Sequence, residues 1–256
     1  MTNLKNKISN SFDRGSEFYE SNSNIQKKIC LDLVNFYKKL STKNDKIKFD
    51  NALEVGCGSG YMSNQINKLK NIKKIHLIDI SNKMILKEKE NLSKENFSYE
   101  VTDFDNFKNY KIYDFIFSNM SLHWSENFSK LFFYLLNQMT TDSTFIFSIP
   151  TVIKFDSLEI SKNLLKELIN KLPNAHCLER QIDREKFYFF SKKKIFKEKF
   201  KKPLDFFLNL KSIGANINLK KTKTNIFFLR RMNSEITISY KVSFFFIRKI
   251  RVFMSL

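Results

Sequence analysis

The sequence predicts an α/β fold: a mostly parallel seven-stranded sheet with one antiparallel edge strand and helices on both faces. In the first 150 residues, apolar runs of strand length alternate with segments whose apolar residues recur at helical spacing. Such alternation requires crossover connections, which give parallel strands covered by helices. After Pro150, two further strand patterns occur without a long crossover between them. They indicate an antiparallel pair at the sheet edge.

The first half of the chain provides five strands and the helices that connect them. Apolar residues at i, i+3 and i+4 steps predict an amphipathic helix over Asn24–Leu40, and a second helical pattern follows the glycine-rich stretch at residues 56–60. Ser81 is expected to cap the next helix, and a further helix is predicted over Asn127–Met139. The strands are predicted at Phe49–Val55, Lys73–Ile80, Phe97–Val101, Tyr113–Ser118 and Thr144–Ile149.

The second half of the chain predicts two helices and the last two strands. The first helix covers Leu158–Leu172 and ends at Pro173. The second is short, with Pro203 just inside its start and Gly214 just past its end, which is the usual terminal asymmetry. The two strands are predicted at Lys194–Phe200 and Glu235–Lys249.

Composition limits the environment and the partners of the chain. With 42% hydrophobic residues it can bury a core, but it has no apolar run near the 20 or so residues of a spanning helix and no apolar secretory stretch at its start. Its three cysteines lack paired spacing, so we expect neither a disulfide framework nor a metal site. These features favour a reducing, cytoplasmic setting without membrane insertion.

The net charge of +19 has two competing explanations. It favours an anionic partner such as an acidic protein, a nucleic acid or a membrane surface, but the same abundance of Lys, Asn, Ile and Phe arises in AT-rich genomes. Nucleic acid is disfavoured because the chain lacks a compact basic block with interleaved aromatic residues. The nearest candidate, Lys192–Lys202, alternates as an edge strand with one solvated face would.

Three of the chain's 5 glycines, Gly56, Gly58 and Gly60, follow the first predicted strand within five positions. In doubly wound sheets, ligands bind beyond the carboxyl ends of the strands. Glycines there permit a tight bend and a close approach of the backbone to a ligand. An ordinary strand-to-helix turn needs one glycine, so the cluster predicts a ligand whose atoms occupy the space of side chains.

Acidic residues after three successive strands indicate what that ligand is. Glu54 precedes the glycines, Asp79 ends the second strand, and Asp103 follows the third. The spacing is G-x-G-x-G rather than the dinucleotide pattern G-x-G-x-x-G, and the loop has no Lys or Arg for a phosphate. A nucleoside with a positive charge is therefore predicted, and S-adenosylmethionine fits. Each aspartate alone could also merely cap the following helix.

The stretch "EVGCGSG" resembles the first motif of the class I S-adenosylmethionine-dependent methyltransferases, which have a Rossmann-like fold. "SNMSLHW" at Ser118–Trp124 resembles the family's loop after the fourth strand. The resemblance implies these cofactor contacts: Glu54, Gly56, Gly58 and Gly60 at the methionine end, Asp79 at the ribose, Asp103 and Phe104 at the adenine, and Asn119 at the methionine portion.

Three outlying stretches are similar to one branch of that superfamily, the malonyl-[acyl-carrier protein] O-methyltransferases. They are Ser11–Gln26, Leu210–Asn216 and Ile236–Val242. The resemblance implies methylation of the free carboxylate of a malonyl thioester on acyl-carrier protein, or on coenzyme A, at the start of pimeloyl and biotin synthesis. It covers nearly the whole chain, and the "LKSIGA" stretch is its most discriminating part.

One stretch departs from that branch. The family usually carries an H-x-N-R-F-like segment, whereas this chain has "PNAHCLER" at Pro173–Arg180. If the family's arginine holds the substrate, its role passes here to Arg180 or Arg184. Because no internal repeat, glycine-rich linker or low-complexity tail marks a boundary, we expect a single domain, residues 1–256. Its parts are a helical lid segment (1–45), a cofactor-binding core (46–150), a substrate-side insertion (151–190) and a C-terminal sheet edge (191–256).

The proposed chemistry needs few catalytic groups. A malonyl-type carboxylate has a pKa of about 4 and is ionised at neutral pH, so no general base is required. Arg14 and Tyr19 are the candidate donors that hold it, and His123 is expected to form a wall or a hydrogen bond. The alternatives are an exposed arginine, a core tyrosine and a structural histidine. Cys57 is not expected to act as a nucleophile.

Three other functions remain open at this stage. A related small-acid or RNA methyltransferase would share the cofactor motif, and only the charge favours RNA. "SLHW" and "FDR" also resemble a respiratory complex I assembly protein of the same fold, although that relative lacks the L-K-x-I-G-A spelling. A decayed, inactive chain would fit the compositional bias but not the intact cofactor motifs.

Overall fold

The computed structural model describes residues 2–41, 47–69, 71–92, 94–156, 172–216 and 230–251. Within these residues seven strands form one sheet. They are β1 (Phe49–Val55), β2 (Ile72–Asp79), β3 (Phe97–Val101), β4 (Phe115–Asn119), β5 (Thr144–Phe155), β6 (Phe187–Phe200) and β7 (Ile236–Lys249). Their order across the sheet is β3-β2-β1-β4-β5-β7-β6.

The first five strands are parallel to one another, and β7 is antiparallel to both of its neighbours, β5 and β6. The predicted fold class and the antiparallel pair at the sheet edge are therefore confirmed. The antiparallel strand itself lies one position in from the edge. β7 pairs with β5 on one side and with β6 on the other, and its segment Val242–Ile247, apolar apart from Ser243, is buried. Lys192–Ile195 of the edge strand β6 is exposed.

Helices cover both faces of the sheet. The helices are α1 (Asn3–Asn22), α2 (Asn24–Leu40), α3 (Tyr61–Asn67), α4 (Asn82–Leu92), α5 (Phe128–Gln138), α6 (Ala175–Arg180) and α7 (Pro203–Ser212). On one face, Ile29 and Leu33 of α2 pack in a core cluster with Phe115. On the other, Phe132 of α5 packs with Phe147. Ser81 caps α4 as expected, since its Oγ accepts from the Met84 N–H at 3.2 Å.

Two late strands are longer than predicted. β5 was expected to end at Ile149, but it continues to Phe155 with a register shift between Pro150 and Val152. Proline lacks the N–H of a regular ladder, so an irregularity there lets the strand continue. β6 begins at Phe187 rather than Lys194. The helix predicted at Leu158–Leu172 lies, apart from Leu172 itself, outside the described residues.

Candidate active site

The glycine turn connects β1 to α3. At two of its three glycines, neighbouring side chains leave no room for a Cβ atom. All three have a left-handed φ, at 69°, 54° and 73° for Gly56, Gly58 and Gly60. A Cβ at Gly56 would overlap Ser121 Oγ, and one at Gly60 would overlap the Glu88 carboxyl group. The expectation that ligand atoms explain all three glycines is therefore corrected, because protein atoms fill the space at two of them.

The described residues line two neighbouring clefts over the carboxyl ends of the central strands. The larger has an empty volume of about 540 Å³ including its open mouth. The smaller has about 340 Å³. Tyr19, Gly56 and Asn119 line both, so the clefts meet there. Of the other predicted residues, Gly58, Asp79, Asp103 and Phe104 line the larger cleft and Glu54 lines the smaller one.

Asp79 fixes the turn from the end of β2. Its Oδ2 accepts from the Gly58 N–H at 2.9 Å, and its Oδ1 accepts from the Ser81 N–H at 2.8 Å. Burial raises the pKa of Asp79 to about 6, although these two N–H groups oppose the shift. A carboxylate that faces the larger cleft at the end of β2 is able to accept hydrogen bonds from the hydroxyls of a ribose.

Asp103 is engaged by a residue that sequence reasoning missed. Lys5, on α1, places its Nζ 3.0 Å from Asp103 Oδ1 and 2.6 Å from Asp105 Oδ2, and it is 2% exposed. The Lys5 ammonium also lies 4.8 Å from the centre of the Phe104 ring. No sequence signal pointed to this contact, because a lysine on an amphipathic helix is ordinarily a surface residue.

Acidic and amide groups line the smaller cleft. Glu54 is 1% exposed and accepts from Ser63 Oγ. Burial, followed by the nearby Glu88 carboxyl group, raises the pKa of Glu54 well above its ordinary value. Asn119 Nδ2 donates to the Gln26 carbonyl at 3.1 Å, while the buried Gln26 Oε1 has no hydrogen-bond partner among the described residues. Gln26 thus offers an unused acceptor; sequence reasoning placed it in a family-like stretch but gave it no role.

Helix α1 roofs the larger cleft through side chains three, four and seven positions apart: Lys5, Ile8, Phe12 and Tyr19. Arg14 lies about 200° around the helix from Phe12 at 100° per residue. It is exposed and lines neither cleft. The geometry therefore offers Tyr19, and not Arg14, to a ligand.

The other predicted residues do not line either cleft. Burial lowers the pKa of His123 to about 3, so the ring is neutral, and its Nδ1 has no hydrogen-bond partner within the described structure. His123 and Gly60 line neither cleft. Arg180 and Arg184 are exposed, and the Arg184 guanidinium lies 5.4 Å from the centre of the Phe189 ring. The described geometry thus gives neither arginine a place in the two clefts.

Two of the three family-like stretches, Ser11–Gln26 and Leu210–Asn216, contact each other. Ser11 Oγ of α1 donates to Asn216 Oδ1 at 3.0 Å. A Cβ at Gly15 would lie 2.6 Å from the Ile213 carbonyl carbon, so the backbone of α1 packs directly against the residues that follow α7. At the other side of α1, Asp13 Oδ1 accepts from Ser81 Oγ at 2.6 Å. The Leu210–Asn216 stretch therefore provides a surface on which α1 packs.

These features fit a cationic nucleoside. The glycine turn presents Gly58 to the larger cleft, where a Cβ would have only ordinary contact with Tyr19 at 3.5 Å. Asp79 faces the same cleft, and the unpartnered Gln26 Oε1 faces the smaller one beside Glu54. In the smaller cleft, Glu54, Gln26 and Asn119 provide side-chain acceptors beside one lining lysine, Lys27, and such a lining is able to receive a ligand with an ammonium and a sulfonium group.

Comparisons with known proteins indicate the family and the fold of the chain. A family model described as a methyltransferase domain matches residues 48–204. Malonyl-[acyl-carrier protein] O-methyltransferase 2 of Coxiella burnetii is 26% identical over 98% of both chains. The protein of that name from Ilyobacter polytropus is 30% identical over 86% of this chain and 84% of its own length. Phosphoethanolamine N-methyltransferase 2 of Haemonchus contortus, solved with S-adenosylhomocysteine, has a TM-score of 0.59 and 16% identity over 98% of this chain and 61% of that one.

The fold and the site define a class I S-adenosylmethionine-dependent methyltransferase. S-adenosylmethionine is its cofactor. Within that class, the chain belongs to the family of malonyl-[acyl-carrier protein] O-methyltransferases. No helix among the described residues is long and apolar enough to cross a membrane.

Proposed function

We propose that this enzyme methylates the free carboxylate of a malonyl thioester on acyl-carrier protein, giving the methyl ester that starts pimeloyl and biotin synthesis. The observation that carries this proposal is the packing of α1 against Leu210–Asn216, on the same helix that places Tyr19 beside Gly58 of the glycine turn. It joins two of the stretches that resemble this branch of the superfamily to the roof of the active site. The two relatives named for this activity support it across most of their lengths.

We assign the cofactor to the residues that line the two clefts. Asp79 would hold the ribose, Phe104 and Asp103 would flank the adenine, and Glu54 and Gln26 would receive the methionine end. When bound, S-adenosylmethionine supplies an electrophilic methyl group on a sulfonium. In this assignment the residues that would hold the adenine line the larger cleft and those that would hold the methionine end line the smaller one, and Tyr19 and Gly56 line both.

The acceptor needs orientation rather than deprotonation. A malonyl carboxylate with a pKa of about 4 is ionised at neutral pH. Burial, with help from the Asp79 carboxylate, raises the pKa of Tyr19 above its ordinary value, so its hydroxyl remains a neutral donor. Tyr19 would orient the carboxylate by one hydrogen bond while α1 excludes water. No histidine lines either cleft among the described residues, which suits a reaction without a general base.

The acceptor is tested by transfer of a labelled methyl group. We expect labelling of malonyl-acyl-carrier protein, weaker labelling of malonyl-coenzyme A, and none of butyryl-acyl-carrier protein, which lacks the free carboxylate. Absence of transfer to both malonyl substrates, by protein that still binds S-adenosylhomocysteine, would contradict the proposed acceptor. Transfer to a pool of RNA in the same assay would favour the RNA alternative.

We place the reaction in the cytoplasm. The three cysteines are free thiols, and two of them, Cys30 and Cys57, are buried. Free thiols persist in a reducing compartment. Acyl-carrier proteins are acidic, so the excess of 45 basic over 26 acidic residues favours their association.

A further inference from the structure

Lys5 is a buried cation that the proposed chemistry does not use. It lies in the first turn of α1, is 2% exposed and lines the larger cleft. Its ammonium contacts the carboxylates of Asp103 and Asp105 and lies 3.4 Å from the Trp124 carbonyl oxygen. A lysine is rarely buried unless it is paired, and here the two pairs tie the roof helix to the loop after β3.

Lys5 occupies the same groups that the adenine of the cofactor would use. Its Nζ lies 4.8 Å from the centre of the Phe104 ring, and thus covers part of one ring face. Asp103 also accepts from the Asp105 N–H at 3.1 Å and from Asn106 Nδ2 at 3.2 Å. With Lys5, three of the roughly four acceptor positions of a carboxylate are filled. A purine that packs on Phe104 and donates to Asp103 must therefore compete with Lys5.

Asp105 offers the ammonium an alternative partner nearer to solvent. The Asp105 side chain is 18% exposed, against 4% for Asp103. Asp105 is itself held by hydrogen bonds from Ser125 Oγ and from the Glu126 N–H at 2.9 Å. The Lys5 ammonium is thus able to leave Asp103 while keeping a fixed carboxylate, which avoids an unpaired buried charge.

We propose that Lys5 is a latch residue of the cofactor cleft: it holds α1 closed on Asp103 and Asp105, and the entering adenine takes Asp103 while Lys5 keeps Asp105. This inference rests on the proposed placement of the adenine at Asp103 and Phe104. Lys5 acts through Asp103 and touches no reacting atom, so it is a positioning residue. Breaking one of its two ion pairs precedes cofactor entry and limits the association rate.

The test measures the association rate of S-adenosylhomocysteine by stopped-flow fluorescence. Trp124 is the only tryptophan and lines the larger cleft, so its emission reports on that cleft. Lys5→Met removes the competitor, and we expect association about tenfold faster, which corresponds to a barrier to entry lower by about 1.4 kcal/mol. Asp105→Asn leaves the ammonium without its second partner, and we expect association about tenfold slower.

The opposite changes in association rate expected for Lys5→Met and Asp105→Asn distinguish a latch from a purely structural role. If Lys5 merely stabilised α1, both substitutions would loosen the same contact and change binding in the same direction. Lys7→Met is the matched control, because Lys7 is an exposed lysine on the same helix, and we expect its rate to stay within about twofold of wild type.

Rates that move in the same direction in Lys5→Met and Asp105→Asn, or that stay within about twofold of wild type in both, would overturn the latch. Should Lys5→Met not fold, an unchanged rate in Asp105→Asn alone would overturn it. The readout uses no methyl acceptor. Wild-type protein that binds S-adenosylhomocysteine but does not methylate malonyl-acyl-carrier protein would thus refute the proposed function and leave the latch result standing.

Discussion

Tyr19 is the side chain at which the roof helix meets both clefts. A phenol that stays protonated donates one hydrogen bond to a carboxylate and carries no charge. A guanidinium would hold the same carboxylate more strongly and lower its nucleophilicity. A neutral donor therefore suits an acceptor that is already ionised and needs only to be aligned with the methyl group.

Tyr19→Phe tests this role at the single-residue scale. We expect kcat to fall about 10- to 100-fold, because the acceptor loses alignment. The dissociation constant of S-adenosylhomocysteine, measured by calorimetry, should change little since the ring remains in place. Tyr188→Phe, on an exposed tyrosine of β6, is the control. An unchanged kcat in Tyr19→Phe would remove Tyr19 from the proposed mechanism.

Glu88 is a buried carboxyl group behind the glycine turn. It is fully buried in α4, and neither of its oxygens has a hydrogen-bond partner within the described part of the chain. Burial is the main cause that raises the pKa of Glu88 from 4.5 to about 8, and Lys94 partly offsets it. The folded protein therefore holds this proton at pH values at which the unfolded chain has released it.

Glu88→Gln removes this titratable group, and the direction in which stability then changes with pH can be measured. Between pH 4.5 and 8 the folded state binds more protons at this site, so its contribution to stability falls as the pH rises. We expect the variant's Tm, relative to wild type, to increase steadily from about pH 5 to about pH 8. Glu90→Gln, on an exposed residue of α4, should show no such trend. A difference independent of pH would contradict the raised pKa.

At the scale of elements, the docking of α1 determines the shape of the site. The helix is held by hydrogen bonds from Ser9 Oγ to the Ile80 carbonyl at 2.9 Å and from Ser11 Oγ to Asn216. At Gly15 the helix backbone touches that of Ile213 and Gly214, and a side chain has no room there. Small displacements of α1 therefore move Lys5 and Tyr19 together.

Gly15→Ala tests this contact. Alanine favours a helix over glycine by about 1 kcal/mol. The added Cβ would nevertheless lie 2.6 Å from a backbone carbon, so α1 must shift, and overpacking of this kind costs about 1–3 kcal/mol. We expect a lower free energy of unfolding and a lower kcat, measured by urea denaturation and methyl transfer. Asn10→Ala, at an exposed position of α1, should not destabilise the protein; equal effects of both substitutions would contradict the close packing.

The fold was predictable where the information is local. The bounds of α2, β1 and β3 agree with the sequence patterns because period and caps lie within each segment. The place of β7 between β5 and β6 depends on pairing with strands from two other parts of the chain, which no single segment encodes. The continuation of β5 past Pro150 depends likewise on pairing with β7 from a distant part of the chain.

The candidate site was predictable to a smaller degree. Asp79 and Gly58 follow strand ends, and their place at the cleft comes directly from the topology of the sheet. Lys5 was not predictable, because its burial depends on Asp103 and Asp105, which lie far along the chain from it. Arg14 and Tyr19 stand close together in the sequence, but only the rotation of α1 decides which of them faces the cleft.

At the scale of the whole molecule, the Lys192–Lys202 stretch holds only 7 of the 45 basic residues. Several exposed lysines of the edge strand β6 are already paired, such as Lys193 with Glu179 at 3.4 Å and Lys194 with Asp32 at 2.5 Å. Charged residues on an edge strand oppose pairing with other chains. The Lys192–Lys202 stretch therefore serves the sheet edge, as the sequence pattern indicated, and much of the positive charge lies elsewhere.

This excess predicts how salt affects stability. The 45 basic residues outnumber the 26 acidic ones by 19, so net repulsion among positive charges remains in the compact state. Exposed ion pairs contribute about 0.2–1 kcal/mol each, and salt weakens them. Salt also weakens the repulsion between distant positive charges, because the screening length is only about 10 Å at about 0.1 M salt. We expect this gain in stability to outweigh the loss from weaker ion pairs.

We expect Tm to rise by several degrees between about 20 and about 300 mM sodium chloride, measured by calorimetry, with sucrose of equal osmolality as the uncharged control. A fall in Tm would show that the ion pairs, and not the net charge, dominate the electrostatics of the fold.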